Sequence, residues 1–465
     1  MSPVIPAPEL SRTREQRRVF VATAIGTMTE WYDFFTYASA SALIFATEFF
    51  APAGPGFATI VAFLTLGLSY LFRPLGAFIA GHLGDKIGRR KMLVWTLLTM
   101  GIATTLIGFV PTYGTIGISA PIILILLRIL QGLSAGGEWG GAVLMSVEHA
   151  PAARRGALGV APQIGVPLGL LTSSGVMAIM TMIAPGEAFV EWGWRVPFLL
   201  SIVLVGVGYY ARLRLEESPV FTRLEQEGER VRVPVVQLFR RHGWLVLVAS
   251  LIFAGSTGVG TMTTGGFVQN YTTDPTGPIH LDREPILWAV ALGSLCWLLS
   301  TWVSGVVSDR FGRKRVYVFG WLAQLVGVVA LFPLVNLGTV WSTLLGLVIL
   351  SVGIGITYGP LSVVYAELFP APIRYSGVAI TYAIGAVLGG AFGPVIASTL
   401  VKTTGGTAAV TVYLVVLTLV GLAATLVLHD RTGVALDGHA TQDETPWMFA
   451  RSKAPAIPAG SDPVV

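Results

Sequence analysis

Long apolar runs alternate with short polar breaks along the whole chain, and the pattern recurs twelve times. The runs fall at 19–47, 57–83, 92–112, 120–147, 156–184, 193–211, 243–272, 285–308, 316–335, 339–367, 375–400 and 408–428. About 20 apolar residues are needed to carry a helix across the hydrocarbon core. The pattern therefore predicts an all-α membrane protein with twelve transmembrane helices. The longest internal polar break, 212–242, holds Glu216, Glu217, Glu225, Glu227, Glu229 and seven arginines, and it reads as a surface loop between two six-span halves. The expected organisation is a tail at 1–18, a helical bundle at 19–211, the central loop at 212–242, a second bundle at 243–428 and a tail at 429–465. The last segment carries four prolines after position 445 and few large apolar residues, a composition expected to stay disordered.

Composition agrees. The chain is 53% hydrophobic and 12% charged, against about 25% charged for a soluble domain, which argues against the usual soluble enzyme architectures. One cysteine, Cys296, excludes an intrachain disulfide framework and a Cys-built metal site. The net charge of +5 is explained by where the basic residues lie. With even-numbered spans, 25 of the 30 lysines and arginines fall on the side of the two termini, and the opposite loops hold only Arg195, Arg283 and Lys402. By the positive-inside rule this places both termini in the cytoplasm. It also removes any need to invoke nucleic acid. No cleavable signal is expected, because the first apolar run is too long for one.

The two halves repeat. Gly81-His82-Leu83-Gly84-Asp85-Lys86-Ile87-Gly88-Arg89-Arg90 closes the second span, and Gly305-Val306-Val307-Ser308-Asp309-Arg310-Phe311-Gly312-Arg313-Lys314 closes the eighth. Glu148, Pro151 and Arg155 after the fourth span are echoed by Glu367, Pro370 and Arg374 after the tenth. Internal duplication of this kind is the build of many secondary transporters.

The loop after span two resembles the signature loop of the major facilitator superfamily, and Arg128-Ile129-Leu130-Gln131-Gly132 resembles its R-x-x-Q-G motif. Four further stretches resemble its metabolite:proton symporter family, which includes shikimate, α-ketoglutarate, citrate and proline/betaine permeases. They are Glu30-Trp31-Tyr32-Asp33-Phe34, Arg73-Pro74-Leu75-Gly76, Gly136-Gly137-Glu138-Trp139-Gly140-Gly141 and Gln163 to Gly169. The resemblance covers 18–430. It implies two six-helix bundles that rock about a central site in the bacterial inner membrane, driven by a proton gradient, with no other cofactor. Two departures narrow it. Residues 429–465 show no heptads, unlike the coiled coil of osmosensing betaine permeases, and span five lacks the Gly-Pro-x-x-Gly-Gly pattern of drug exporters.

Ionisable groups at membrane depth are costly unless paired, so each is a candidate for function. Five lie deep, all in the first half: Glu30 and Asp33, which share a helix face, with Arg73, Arg128 and Glu138. Fully charged, they total −1, and one proton would neutralise them. This points to Asp33 as proton carrier with Arg128 as its alternating partner, and to Glu30 and Glu138 as further coupling groups. The alternative for Asp33 is a fixed structural role. The alternative for Glu138 is a pairing that tethers a packing helix, because it sits among small residues with G-x-x-x-G spacings. Arg73 and Arg128 could each bind a substrate carboxylate through two parallel hydrogen bonds, or could instead be held by internal acids.

Neutral candidates for the rest of the substrate are Tyr37, Gln163, Thr264, Gln269, Tyr271, Gln324, Tyr358 and Tyr382. The expected conformational latch comprises Gly81, Asp85, Gly88, Arg89 and Arg90, with the diverged copy Asp309, Gly312 and Arg313. Asp85 could accept from the amides of a neighbouring helix N-terminus. No metal site and no histidine at mid-membrane depth are expected. The absence of H-E-x-x-H, G-x-S-x-G and P-loop patterns leaves an intramembrane enzyme little support. The reading is a monomeric proton-coupled importer of an organic acid anion. A zwitterion such as proline or betaine is the alternative substrate, and efflux the less favoured direction.

Overall fold

The computed structural model describes residues 9–87, 89–213, 234–262, 266–434 and 436. Twelve long helices account for most of the described residues: α1 (Glu9–Ala40), α2 (Pro55–Ile87), α3 (Arg89–Phe109), α4 (Ser119–Glu148), α5 (Ala161–Ile183), α6 (Arg195–Leu213), α7 (Pro234–Met262), α8 (Arg283–Phe311), α9 (Arg313–Val335), α10 (Val340–Tyr358), α11 (Arg374–Ala386) and α12 (Ala408–Val427). Eleven of the described helical stretches are long and apolar enough to cross a membrane. The exception is α1, whose apolar character is diluted by the polar run from Thr27 to Asp33.

Several spans are interrupted where the sequence demands it. After α10 the chain passes Gly359 and Pro360 and resumes as Leu361–Leu368, since proline cannot donate to the preceding turn. The span begun by α11 runs through a π-helical turn, Val387–Ala391, into Gly393–Thr404. At the junction of α8 and α9, Gly312 adopts φ +89°, a left-handed conformation that only glycine reaches at little cost.

The duplication is visible in the packing. Helix α2 packs on α4 and α3 on α6, just as α8 packs on α10 and α9 on α12. Likewise α1 packs on α5 and α6, and α7 on α11 and α12. The halves meet along two seams, α5 against α8 and α2 against α11. The small residues of α4 do what their spacing suggested: a Cβ on Gly136 would lie 2.5 Å from the backbone nitrogen of Ala77, and one on Gly132 would crowd the Ser69 backbone. Large apolar side chains such as Trp95, Phe109, Trp302, Phe319 and Val412 stay exposed on the outer surface, as suits a lipid-facing wall.

Several boundaries differ from expectation, beginning with α1, which starts at Glu9 inside the segment expected as a tail. Arg212, assigned to the central loop, lies inside α6 and is 4% exposed. Residues 234–241, also assigned to that loop, form the start of α7 ahead of a kink at His242. The beginning of the tail expected to be disordered is packed, with Arg431 7% and Leu436 4% exposed.

Candidate functional site

The deep charged groups of the first half converge, but their pairing differs from the one expected. Asp33 is held by two hydroxyls: Thr104 Oγ1 on α3 donates to Oδ2 at 2.7 Å, and Ser201 on α6 donates to Oδ1. Asp33 and Arg128 are joined only through intermediaries. Arg128 Nη1 donates to Gln131 Oε1 at 2.8 Å, and Gln131 Nε2 donates to Thr104 Oγ1 at 2.6 Å. Arg128 also donates to the Leu66 carbonyl at 3.3 Å and lies 3.8 Å above the Tyr37 ring, whose hydroxyl pairs with Thr65. Both residues thus sit in a built network.

Glu138 forms an ion pair with Arg212, which in turn donates to the Leu93 carbonyl at 2.5 Å. Gly26 on α1 leaves room for the Arg212 guanidinium, since a Cβ there would collide with it. Arg212 joins the buried charged cluster, and sequence reading placed it in the central loop instead. It raises the cluster to three carboxylates and three guanidiniums, so the fully charged sum is zero and not −1.

Glu30 and Arg73 stand apart from these networks. Arg73 Nη2 lies 3.6 Å from Glu30 Oε1, too long for a hydrogen bond. Neither carboxylate oxygen of Glu30 and none of the three guanidinium nitrogens of Arg73 makes a hydrogen bond within the protein, although both residues are 1% exposed. Arg73 is enclosed by the rings of Tyr70, Trp31 and Phe34, at 4.7, 5.3 and 5.7 Å. Buried polar groups are nearly always partnered, and leaving one unpaired costs about 1–3 kcal/mol. A planar ring box around an arginine with unused donors suits capture of a carboxylate.

A neutral wall forms where the halves meet. Trp139 of α4 stacks on Tyr382 of α11 with centroids 3.7 Å apart and planes at 11°, and Tyr382 stacks on Phe253 of α7 at 4.0 Å. The Trp139 indole donates to Gln163 Oε1 at 3.0 Å, and Gln163 Nε2 donates across the seam to the Tyr358 carbonyl at 3.2 Å. Trp297, at the position equivalent to Arg73, meets Tyr358 edge-on at 5.1 Å. Tyr382 lies within electrostatic reach of Arg73, so the aromatic wall and the arginine face one space. Trp139 and Phe253 belong to this wall; sequence reading named neither as a site residue. Gln269 is fully buried with neither amide atom bonded.

Other neutral candidates are spent elsewhere. Gln324 donates to the Gly255 carbonyl and Thr418, binding α9 to α7 and α12. The Tyr271 hydroxyl donates to Asn336, away from the centre. Thr264 and Gly88 lie outside the described residues, as do the side-chain surroundings of Gly81, Asp85, Arg89 and Arg90.

The second-half residues expected to form a latch are all described. Asp309 accepts from the amides of Gly156 and Ala157 at 2.8 and 2.9 Å, at the opening turn of Arg155–Gly159. The contact expected of Asp85 is made here by its second-half counterpart, across the seam between halves. Arg313 donates to Asp309 at 2.7 Å and pairs with Glu367 at 3.5 Å, and Gly312 supplies the turn between them. Glu367 also meets Arg155 at 3.6 Å, and Arg374 meets Glu148 at 3.4 Å. The packed start of the tail straps this cluster: Arg155 donates to the Val434 carbonyl at 2.5 Å, Arg374 to the Leu436 carbonyl at 3.0 Å, and Arg431 to the Leu368 carbonyl at 3.3 Å. On the opposite face Asn270 donates to the Ala42 carbonyl at 3.2 Å, and Lys402 lies 4.6 Å over Phe57. A recess of about 520 Å³ between the halves opens there, with Thr273, His280, Asp282 and Arg283 among its lining residues.

Comparison with known proteins agrees with this architecture. The Major Facilitator Superfamily profile matches residues 23–380 and 275–457. The inner membrane metabolite transport protein YhjE of Escherichia coli K12 is 36% identical over 91% of this chain and 96% of its own. The shikimate transporter of the same organism is 37% identical over 89% and 94%. Its proline/betaine transporter is 31% identical over 91% and 85%. Among solved structures, the proton:xylose symporter XylE bound to 6-bromo-6-deoxy-D-glucose superposes with a TM-score of 0.75 at 17% identity, over 92% of this chain and 98% of that one. The fold, the duplicated seams and these relatives agree: the chain belongs to the major facilitator superfamily and is a multi-pass inner-membrane metabolite transporter, not an enzyme.

Proposed function

We infer that the protein is a proton-coupled symporter that imports a small metabolite bearing a carboxylate, by alternating access. The observation that carries this is Arg73: buried where the halves meet, boxed by aromatic rings, with three nitrogens that make no hydrogen bond within the protein. A carboxylate would accept two of its donors, and the Trp139–Tyr382 wall would pack against the remainder of a compact ligand. The basic bias of the terminal face supports cytoplasmic termini. In that orientation the latch closes the cytoplasmic side and the 520 Å³ recess faces the uptake side.

A thermal-shift screen on purified protein tests the reading. Shikimate, lactate and succinate represent anionic acids, proline and betaine represent zwitterions, and lipophilic cations represent drug export. Stabilisation by one or more carboxylates, lost in Arg73→Gln, is the expected result. Stabilisation by lipophilic cations alone would overturn it. Preference for betaine over every anion would move the substrate to the zwitterion class.

A further inference from the structure

Three carboxylates share the buried cluster, and their surroundings separate them. Asp33 accepts two hydroxyl hydrogen bonds, and Glu138 is tied to Arg212, which is itself anchored to the α3 backbone. Glu30 has no hydrogen bond, and its one ion-pair contact is the 3.6 Å approach of Arg73, the same guanidinium that suits a substrate carboxylate. The charged groups acting on Glu30 are Arg73 from α2, Glu138 from α4, Arg212 from α6 and Asp33 on its own helix, and Tyr382 of α11 also lies within its reach.

We propose that Glu30 is the proton carrier, and that Glu30 and the substrate carboxylate exchange as partners of Arg73. This rests on the reading of Arg73 as substrate anchor. With no substrate, and above the pH at which Glu30 gives up its proton, Arg73 faces ionised Glu30 and the six-group cluster sums to zero. When a substrate carboxylate takes Arg73, Glu30 would remain as a buried carboxylate with no close cation, and binding a proton removes that cost. The cluster then sums to +1 and the substrate brings −1, so the total is again zero. The proton passes from water on the uptake side to a Glu30 oxygen and returns to water on the other side, and no bond of the substrate is made or broken. Neither ligand is favoured without the other, which is the condition for coupling. Asp33 holds α1, α3 and α6 in register.

The experiment compares wild type with Glu30→Gln, using shikimate, lactate and succinate as probes between pH 7 and 10, where these carboxylates are ionised. In wild type, affinity should fall with pH once substrate-free Glu30 is deprotonated, approaching about tenfold per unit, because each binding event then takes up one proton. Glu30→Gln should bind the same probe with no pH slope, retain exchange of labelled for unlabelled probe in vesicles, and lose accumulation driven by an inward proton gradient. Asp33→Asn should keep the wild-type slope.

A slope that persists in Glu30→Gln, or disappears in Asp33→Asn alone, would overturn the assignment of the carrier. Loss of probe binding in a Glu30→Gln protein with unchanged melting temperature would also overturn it, by making Glu30 a positioning residue for Arg73. Wild-type binding with no slope would do the same. Failure of every carboxylate to bind wild type would instead reject Arg73 as a substrate anchor, a result distinguishable from the others.

Discussion

Arg212→Gln should be among the more damaging single substitutions in the first bundle. The arginine is 4% exposed and makes two ties, an ion pair to Glu138 of α4 and a 2.5 Å hydrogen bond to the Leu93 carbonyl of α3. Removing it strands Glu138, which is fully buried and whose second oxygen has no hydrogen bond. Breaking one side of a buried pair costs about 3–5 kcal/mol. For a cooperative unit the size of one bundle this corresponds to a fall in melting temperature of about 10 °C. The assay is thermal unfolding in detergent, run as a double-mutant cycle with Glu138→Gln. The double variant should recover most of the loss, because it removes the stranded charge along with the pair, giving a coupling of at least about 2 kcal/mol. Additive losses, or a single-variant loss below about 1 kcal/mol, would refute a paired, structural Glu138. They would return it to the candidates for proton relay.

Gly136→Val should prevent stable folding, since its Cβ would already press on the α2 backbone; recovery of a normally folded, active protein by size-exclusion and transport assays would contradict this. If the cluster stays neutral through the cycle, uptake of a monocarboxylate should respond to a pH gradient and not to an imposed potassium diffusion potential; strong voltage dependence would count against the exchange of partners. Truncation after His429 should increase hydrogen exchange at 152–158, because Arg155 and Arg374 lose the carbonyls of Val434 and Leu436, whereas truncation after 440 should not. Equal exchange in the two truncations would show that the strap contributes nothing to closure.

The architecture was legible because lipid imposes a coarse rule: long apolar runs, with charge exiled to one face. The bond to a helix terminus expected of Asp85 is seen at its repeat counterpart Asp309. The site was only half legible. Arg212 was hidden by its address, next to a charged loop, although the unbalanced sum of −1 was a cue that a cation was missing. Glu30 and Asp33 could not be ranked from spacing, since what separates them is the hydroxyls of Thr104 and Ser201, contributed by residues 71 and 168 positions away. Gln324 and Gln269 are the same residue type in equally apolar runs. Only the packing shows one bonded between helices and the other with an unused amide.

The strap over the latch carries one more lesson. Its grip comes from arginine side chains reaching main-chain carbonyls of Val434, Leu436 and Leu368. Carbonyls are common to every residue type, so the stretch could change composition widely and still be held. What it cannot absorb is an insertion or deletion, which would carry the oxygens out of register with Arg155 and Arg374. The segment is written in lengths and not in letters, and a search for shared residues would pass over it.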